Sequence, residues 1–446
     1  MGLWSHQIEA KTEALQYDKR LLAWDPRLGK TQGSIECIKE WGELRGIVVA
    51  PLVVCRQWCD ELVANGFKVY EAFLGATVAL DRDLRNQADT VVVVNYDRLY
   101  ALREALKRFK AQFLILDESH WIKSPSAKRA RAARMLGWNT KYVRLLTGTP
   151  ANNHLGDLWG QMTVVDPEGW DKSYVRFANK YLIRHPLYTS TIVGYRDLPA
   201  LESLIRKGAH IVKREDVFGA DQYQYIRRSV SLPSAASKLY GELAKKWVLD
   251  TPTISAEHIF KRLVRLQQLS SGYLPIDDGT IIEVHTAKID AVMADLDEIF
   301  ESGHKVVLFH KFRWEGDRYE KEIRKLYPNV GVGRIQGGDD SSDRDAAIAL
   351  IEEGVGPGVI IAQTRAGGIG ISLRNAKYAS FLSSGYSYTE RKQAIDRIYC
   401  QGETRCITDY VVDGTIERTI ERAVMNKESL NEAIRNLDRQ ALVFGV

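Results

Sequence analysis

Apolar residues in this chain come in short runs separated by longer stretches with helical spacing. Leu21–Ala23, Ile47–Ala50, Val91–Asn95, Phe113–Leu116 and Tyr142–Leu146 are strand-length and mostly rich in branched or aromatic residues. Gln32–Trp41, after the first run, reads as a helix, and so do stretches between the later runs. Strands alternating with helices predict βαβ units around a parallel sheet, with ligands bound beyond the carboxyl ends of the strands. A second series begins near Thr286, with strands expected at Lys305–His310 and Val359–Ala362. From Glu215 to His285 the alternation stops, and Ala235–Lys246 and Glu257–Leu269 read as helices. The expected organisation is an α/β chain with lobe one at 1–214, a helical insertion and linker at 215–285, and lobe two at 286–446. A small extension of lobe one is expected over Pro167–Lys207, and a long polar helix over Thr415–Gln440.

At 446 residues the chain is too long for one core, and 45% hydrophobic with 27% charged residues is the balance of a folded globular protein. The longest apolar runs, such as Ile47–Cys55, are far shorter than a membrane span, so no membrane partner is expected. Five cysteines, Cys37, Cys55, Cys59, Cys400 and Cys406, are odd in number and lack paired CxxC spacing. That pattern argues against a zinc site or disulfide framework and for a reducing compartment. No basic segment followed by an apolar one marks a secretory signal at the N-terminus, and a cytoplasmic location is expected. The net charge of +5 permits a polyanionic partner without requiring one.

The chemistry begins at Trp24-Asp25-Pro26-Arg27-Leu28-Gly29-Lys30-Thr31, between an expected strand and an expected helix. Backbone N–H groups at such a helix start cradle phosphates, while the lysine and the threonine hydroxyl serve the β- and γ-phosphates and Mg²⁺. The full phosphate-loop pattern has glycine where Trp24 stands, so Gly29-Lys30-Thr31 alone would more often be an ordinary helix N-terminus. A second element changes that balance. Phe113–Leu116 ends in Asp117-Glu118-Ser119-His120, placing two adjacent carboxylates at a strand tip. Beside a phosphate loop, Asp117 would complete the Mg²⁺ shell and Glu118 would orient and deprotonate a water; alone, the pair would suit a helix N-cap. Leu145–Pro150 then ends another strand in Thr147-Gly148-Thr149-Pro150. Gln7, upstream of the loop, is by spacing an exposed helix amide and by position a candidate adenine reader.

In this order the elements resemble helicase superfamily two, and specifically its Swi/Snf branch of DNA-translocating ATPases. The resemblance runs through Val48–Pro51 with Gln57-Trp58, Asn95-Tyr96, the Asp117–His120 segment followed by Lys123, Thr147–Pro150, Asn152-Asn153 and Leu158-Trp159. Ile211–Val217 resembles the branch's basic segment between lobes. It continues through Lys305–His310, Arg334–Gly338, Thr364–Leu373 and Gln393–Arg397. It implies two RecA-like lobes, use of ATP and Mg²⁺, double-stranded DNA as partner, and translocation without obligatory strand separation. It assigns Gln7, Arg27, Gly29, Lys30, Thr31, His120, Gly370 and Gln393 to the nucleotide, Thr31 and Asp117 to the metal, and Lys30, Asp117, Glu118 and Arg397 to catalysis. Arg397 would reach the γ-phosphate from the second lobe. Pro51, Asn95, Lys123, Thr147, Gly338, Thr364 and Arg365 would contact the DNA backbone, giving little sequence specificity and strong salt dependence. A monomer, a bacterial or phage-infected cell, and other replication or recombination proteins as partners complete the expectation.

Two positions depart from the pattern. Arg27 stands where the branch has glycine, with solvent exposure or a phosphate contact as its alternatives. Cys400 stands where the branch places a second arginine, and a cysteine supplies no guanidinium. Either hydrolysis is slow or a neighbour such as Arg405 substitutes. A catalytically weakened binding module, disabled by Arg27 and Cys400, is thus one alternative, and a strand-separating helicase on DNA or RNA is a separate one. The basic run Lys128, Arg129, Arg131 and Arg134 reads as a solvated helix face, with a phosphate-backbone contact as its alternative.

Overall fold

The expected apolar runs become strands of two separate parallel sheets in the computed structural model, which describes residues 2–75, 82–84, 89–148, 150–151, 154–184, 192–219, 223–249, 256–276, 279–365, 371–426 and 443–445. The chain divides into two units, Met1–Ala220 and Asp221–Val446. Gly370, Thr149, Asn152, Asn153 and positions 427–440 of the helix expected over 415–440 lie outside the described residues.

In the first unit the strands are β1 (Lys19–Trp24), β2 (Gly46–Ala50), β3 (Lys68–Glu71), β4 (Thr90–Asn95), β5 (Phe113–Asp117) and β6 (Tyr142–Leu146). The hairpin strands β7 (Leu182–Arg184) and β8 (Ile192–Tyr195) follow, then β9 (Ala209–Val212). The seven-stranded sheet runs β3-β4-β2-β5-β6-β1-β9, every pairing parallel. Strands β2 and β4 are buried at every position. Helices cover both faces of such a sheet, so its central strands are continuous apolar runs rather than alternating ones. Helix α1 (Ser5–Thr12) precedes β1, α2 (Lys30–Trp41) leads from β1 to β2, and α3 (Leu52–Ala64) follows β2. Because β1 and β2 are not neighbours, the α2 crossover passes the positions of β6 and β5. The loops after β5, β6 and β1 are thereby set side by side at one sheet edge. The 167–207 extension contains the helices Tyr174–Tyr181 and Leu198–Gly208 and the β7–β8 hairpin.

The second unit holds β10 (Tyr223–Val230), the small antiparallel pair β11 (Tyr273–Pro275) and β12 (Ile281–Glu283), then β13 (Lys305–His310), β14 (Gly331–Ile335), β15 (Gly358–Gln363), β16 (Tyr378–Phe381) and β17 (Arg405–Val412). Its six-stranded parallel sheet runs β10-β17-β16-β13-β15-β14. The stretch 215–285 therefore supplies the expected helices, observed at Ser234–Ala244 and Ala256–Ser270, and also the edge strand β10. The helix expected over 415–440 is described as Ile416–Met425. Two buried ion pairs tie this unit together. Arg391 donates two hydrogen bonds to Asp409, at 2.6 and 2.7 Å, and Lys288 pairs with Glu417 at 2.5 Å. Among the described residues no helix is long and apolar enough to cross a membrane.

Candidate functional site

The loop after β1 is shaped from below by Trp24. Its indole is fully buried, its Nε1 donates to His210 Nδ1 of β9 at 3.0 Å, and its ring meets His6 edge-on at 4.7 Å. The indole fits because Gly33 of α2 has no side chain: a Cβ there would lie 2.7 Å from the Trp24 ring. This accounts physically for the bulky residue where phosphate loops carry glycine. Arg27 is half-buried with φ 71°, the left-handed backbone that glycine adopts without steric cost, and it is not simply solvent-exposed as one alternative had it.

Gly29 caps α2 with φ 65°, and a Cβ on it would come within 2.4 Å of Gln7 Nε2. Gln7 is not the exposed amide that spacing suggested. It is 4% exposed, its Nε2 donates to Gly29 O at 3.1 Å, and its Oε1 accepts from Trp4 N at 2.9 Å. His6 joins the same contact through Leu28 O at 2.9 Å. Helix α1 is thus stapled to the loop. Lys30 Nζ donates to Trp24 O at 3.0 Å and Asp25 O at 3.3 Å, and Thr31 occupies the first turn of α2, half-buried.

Asp117 ends β5 and is held at both oxygens: Trp58 Nε1 donates to Oδ2 at 2.8 Å and Glu118 N to Oδ1 at 2.9 Å. Desolvation and repulsion by Glu118 push its carboxyl up to about 6, against the opposing pull of the Trp58 hydrogen bond and the Lys30 charge. Loop and carboxylate are therefore close enough to interact electrically. Glu118 has φ 48°, strained for a residue with a side chain, and it stands at the N-cap of the short helix Ser119–Ile122, where its side chain makes no capping hydrogen bond. Its Oε2 instead lies 3.2 Å from His120 Nδ1, which is also 3.3 Å from Thr147 Oγ1 beyond β6. One imidazole so links the β5 and β6 loops. Tyr96, from the Asn95-Tyr96 element, donates its OH to Asp117 O at 2.7 Å, and a residue outside every expected element, Gln161, accepts from Ser119 Oγ and donates to Pro150 O, both at 2.7 Å. Gln161 comes from a helix 42 residues beyond Ser119 and carries no local signal.

The expected backbone-contact residues of this unit fall at the same edge. Pro51 follows β2, Asn95 closes β4 with Oδ1 buried and unpaired, Lys123 lies 3.9 Å from Asp157, and Thr147 follows β6. In the second unit, Gly338 lies beyond β14 with φ 100°, and Thr364 and Arg365 follow β15. Thr364 Oγ1 donates to His310 O at 3.2 Å, and Arg365 pairs with Glu390 at 3.0 Å. On the other side of β15, Lys311 follows β13, its ammonium bonded to Gln267 at 2.7 Å and its pKa lowered to about 8 by burial. Gln393 and Arg397 lie on the helix Tyr388–Ile398, with Arg397 donating to Ile371 O at 3.1 Å. Arg405, the neighbour offered as a substitute for the arginine missing at Cys400, is engaged within its own unit. It is 3% exposed and its guanidinium serves Ile398 O, Arg374 O and Glu403.

Residues 6–268 match the SNF2-related domain family, and residues 289–402 match the helicase conserved C-terminal domain. A probable chromatin-remodeling complex ATPase chain of Oryza sativa subsp. japonica is 26% identical over 90% of this chain and 38% of its own length. An uncharacterized ATP-dependent helicase of Mycoplasma pneumoniae is 23% identical over 92% of this chain and 39% of its own. The TATA-binding protein-associated factor MOT1 of Saccharomyces cerevisiae is 24% identical over 90% of this chain and 25% of its own. This chain thus spans less than half the length of these curated relatives. A solved SWI2/SNF2 ATPase core of Sulfolobus solfataricus in complex with dsDNA aligns over 100% of this chain and 97% of that one, at 22% identity and a TM-score of 0.44. With one family spanning more than half of its residues and a helicase C-terminal domain behind it, this chain belongs to the SNF2-related family.

Proposed function

We propose that this chain is an ATP hydrolase whose turnover is stimulated by double-stranded DNA and drives movement along it. The observation that carries the reading is the edge formed by β5, β6 and β1, three consecutive strands. They present the carboxylate pair, Thr147 and the Gly29-Lys30-Thr31 loop together. Gly29, Lys30 and Thr31 hold the triphosphate, Gln7 fixes the loop and reads adenine, and Arg27 flanks the phosphates. Glu118 takes the proton of the attacking water, and His120 relays the state of that site to Thr147. In the second unit Gly370, Gln393 and Arg397 serve the nucleotide. Pro51, Asn95, Lys123, Thr147, Gly338, Thr364 and Arg365 grip the DNA backbone.

Mg²⁺ fits this edge. Asp117 is a carboxylate whose ionised form is disfavoured by burial beside Glu118, and magnesium needs only one or two carboxylates besides phosphate oxygens and water. Thr31 and Asp117 would hold it, and it would neutralise charge on the β- and γ-phosphates. The chain acts as a monomer in the cytoplasm of a bacterial or phage-infected cell, alongside replication or recombination proteins.

ATP turnover with and without linear duplex DNA tests the reading, with Lys30→Ala and Glu118→Gln as variants. Duplex should stimulate the wild-type chain, and each variant should lose about 100-fold or more. Unchanged turnover in Lys30→Ala would refute the assignment, and unwinding of a forked duplex would favour a strand-separating helicase. A catalytically weakened module is the second reading, supported by Cys400 with Arg405 committed elsewhere; duplex-independent turnover near background would favour it.

A further inference from the structure

The basic run after the carboxylate pair is sorted by the fold into two kinds of residue. Arg129 donates Nε to Trp121 O at 2.7 Å and stacks on that ring, and Arg134 donates to Pro125 O at 2.9 Å under the Trp159 ring. Both are committed to the fold. Lys128 and Arg131 are exposed and converge instead on the ring of Tyr100 from the neighbouring helix Tyr96–Phe109, at 5.6 and 5.7 Å from its centroid. Arg103 lies over the same ring at 4.1 Å. Arg103 has a carboxylate near, Glu104 at 3.5 Å; among the described residues neither Lys128 nor Arg131 has one within ion-pair distance.

Three cations on one aromatic ring repel each other, and the ring's negative face relieves this only in part at an exposed site. An anion that spans them completes the arrangement. The place in the fold says which anion. Lys128 opens its helix, and Tyr100 and Arg103 lie in the first two turns of theirs, so the cluster flanks the carboxyl edge of the sheet. Asn95 and Lys123, proposed above as DNA-backbone contacts, precede those same two helices.

We infer that the Tyr100-centred cluster of Arg103, Lys128 and Arg131 is an accessory binding surface for the phosphates of duplex DNA, lateral to the strand-end contacts. The inference rests on the proposed DNA-dependent function. The surface reads no bases; it adds charge contacts and so lengthens the duplex that the first unit holds.

The test is the salt dependence of binding, since each phosphate contact adds about 0.9 to the slope of log affinity against log salt. A labelled mixed-sequence duplex of about 40 base pairs is titrated between about 50 and 200 mM KCl against the full chain, Lys128→Gln/Arg131→Gln, and a control. The control, Lys68→Gln/Lys107→Gln, removes two exposed cations toward the amino edge of the sheet. The first double variant should lose about 1.8 from the slope, so that its affinity falls about 12-fold less than wild type across that range. Its DNA-free ATP turnover and its thermal midpoint should match wild type, and the control should keep the full slope. An unchanged slope in Lys128→Gln/Arg131→Gln, or an equal loss in the control, overturns the surface while leaving the motor reading intact. A wild-type chain that shows no salt-dependent duplex binding refutes the motor reading, and this surface with it.

Discussion

Replacing Trp58 by phenylalanine isolates one interaction at the proposed metal carboxylate. The indole is 1% exposed and its Nε1 gives Asp117 Oδ2 a 2.8 Å hydrogen bond, which phenylalanine removes while retaining most of the apolar volume. A hydrogen bond to a charged group contributes about 1.5–3 kcal/mol, and one pKa unit corresponds to about 1.4 kcal/mol, so about 1–2 units are at stake. The bond favours the ionised carboxylate; losing it raises a pKa that already stands at about 6. The acidic limb of ATP turnover should therefore move from about 6 to between about 7 and 8. For a limb near 7.5, the ionised fraction at pH 7 falls from about nine tenths to about one quarter, a roughly fourfold loss of rate that disappears near pH 9. The assay is DNA-stimulated turnover against pH at saturating ATP and limiting Mg²⁺, with circular dichroism to establish folding. A rate loss of equal size at every pH would show that Trp58 acts by packing alone and would refute this account of Asp117.

Gly29→Ala should abolish nucleotide binding, because its left-handed backbone disfavours a side chain and the new methyl collides with Gln7 Nε2. In a Gln7→Ala background the same glycine substitution should cost less affinity by isothermal titration than it does in the wild-type chain, whereas an equal cost would mean that the collision is not the cause. Asp409→Ala leaves the buried Arg391 guanidinium uncompensated and should lower stability by about 3–5 kcal/mol in urea unfolding; a loss below about 1 would contradict the burial of the pair. Cys400→Arg should raise DNA-stimulated turnover by about tenfold or more if the missing guanidinium limits hydrolysis, and equal rates would remove that explanation.

What the sequence determined by itself was local. Central strands such as Val91–Asn95 and Phe113–Leu116 are continuous apolar runs because they are covered on both faces, and the Gly-Lys-Thr and Asp-Glu-Ser-His segments keep their chemistry within a few residues. The short or polar strands Lys68–Glu71, Ala209–Val212 and Tyr223–Val230 were not legible, because they lie toward or at sheet edges and are selected by a neighbouring strand rather than by their own pattern. Only the tertiary structure decided that β6 lies between β5 and β1, setting the carboxylates and the phosphate loop at one edge. It also decided why Trp24 is tolerated in that loop, since the partner of its indole, His210, is 186 residues away. The same holds for the basic helix after Asp117: spacing gave four like charges, and contacts with Trp121, Trp159 and Tyr100 separated the two bonded into their own unit from the two exposed over the Tyr100 ring. Sequence periodicity reports which face is apolar; partners distant in the chain fix what each polar group on that face is bonded to, and so what it is able to do.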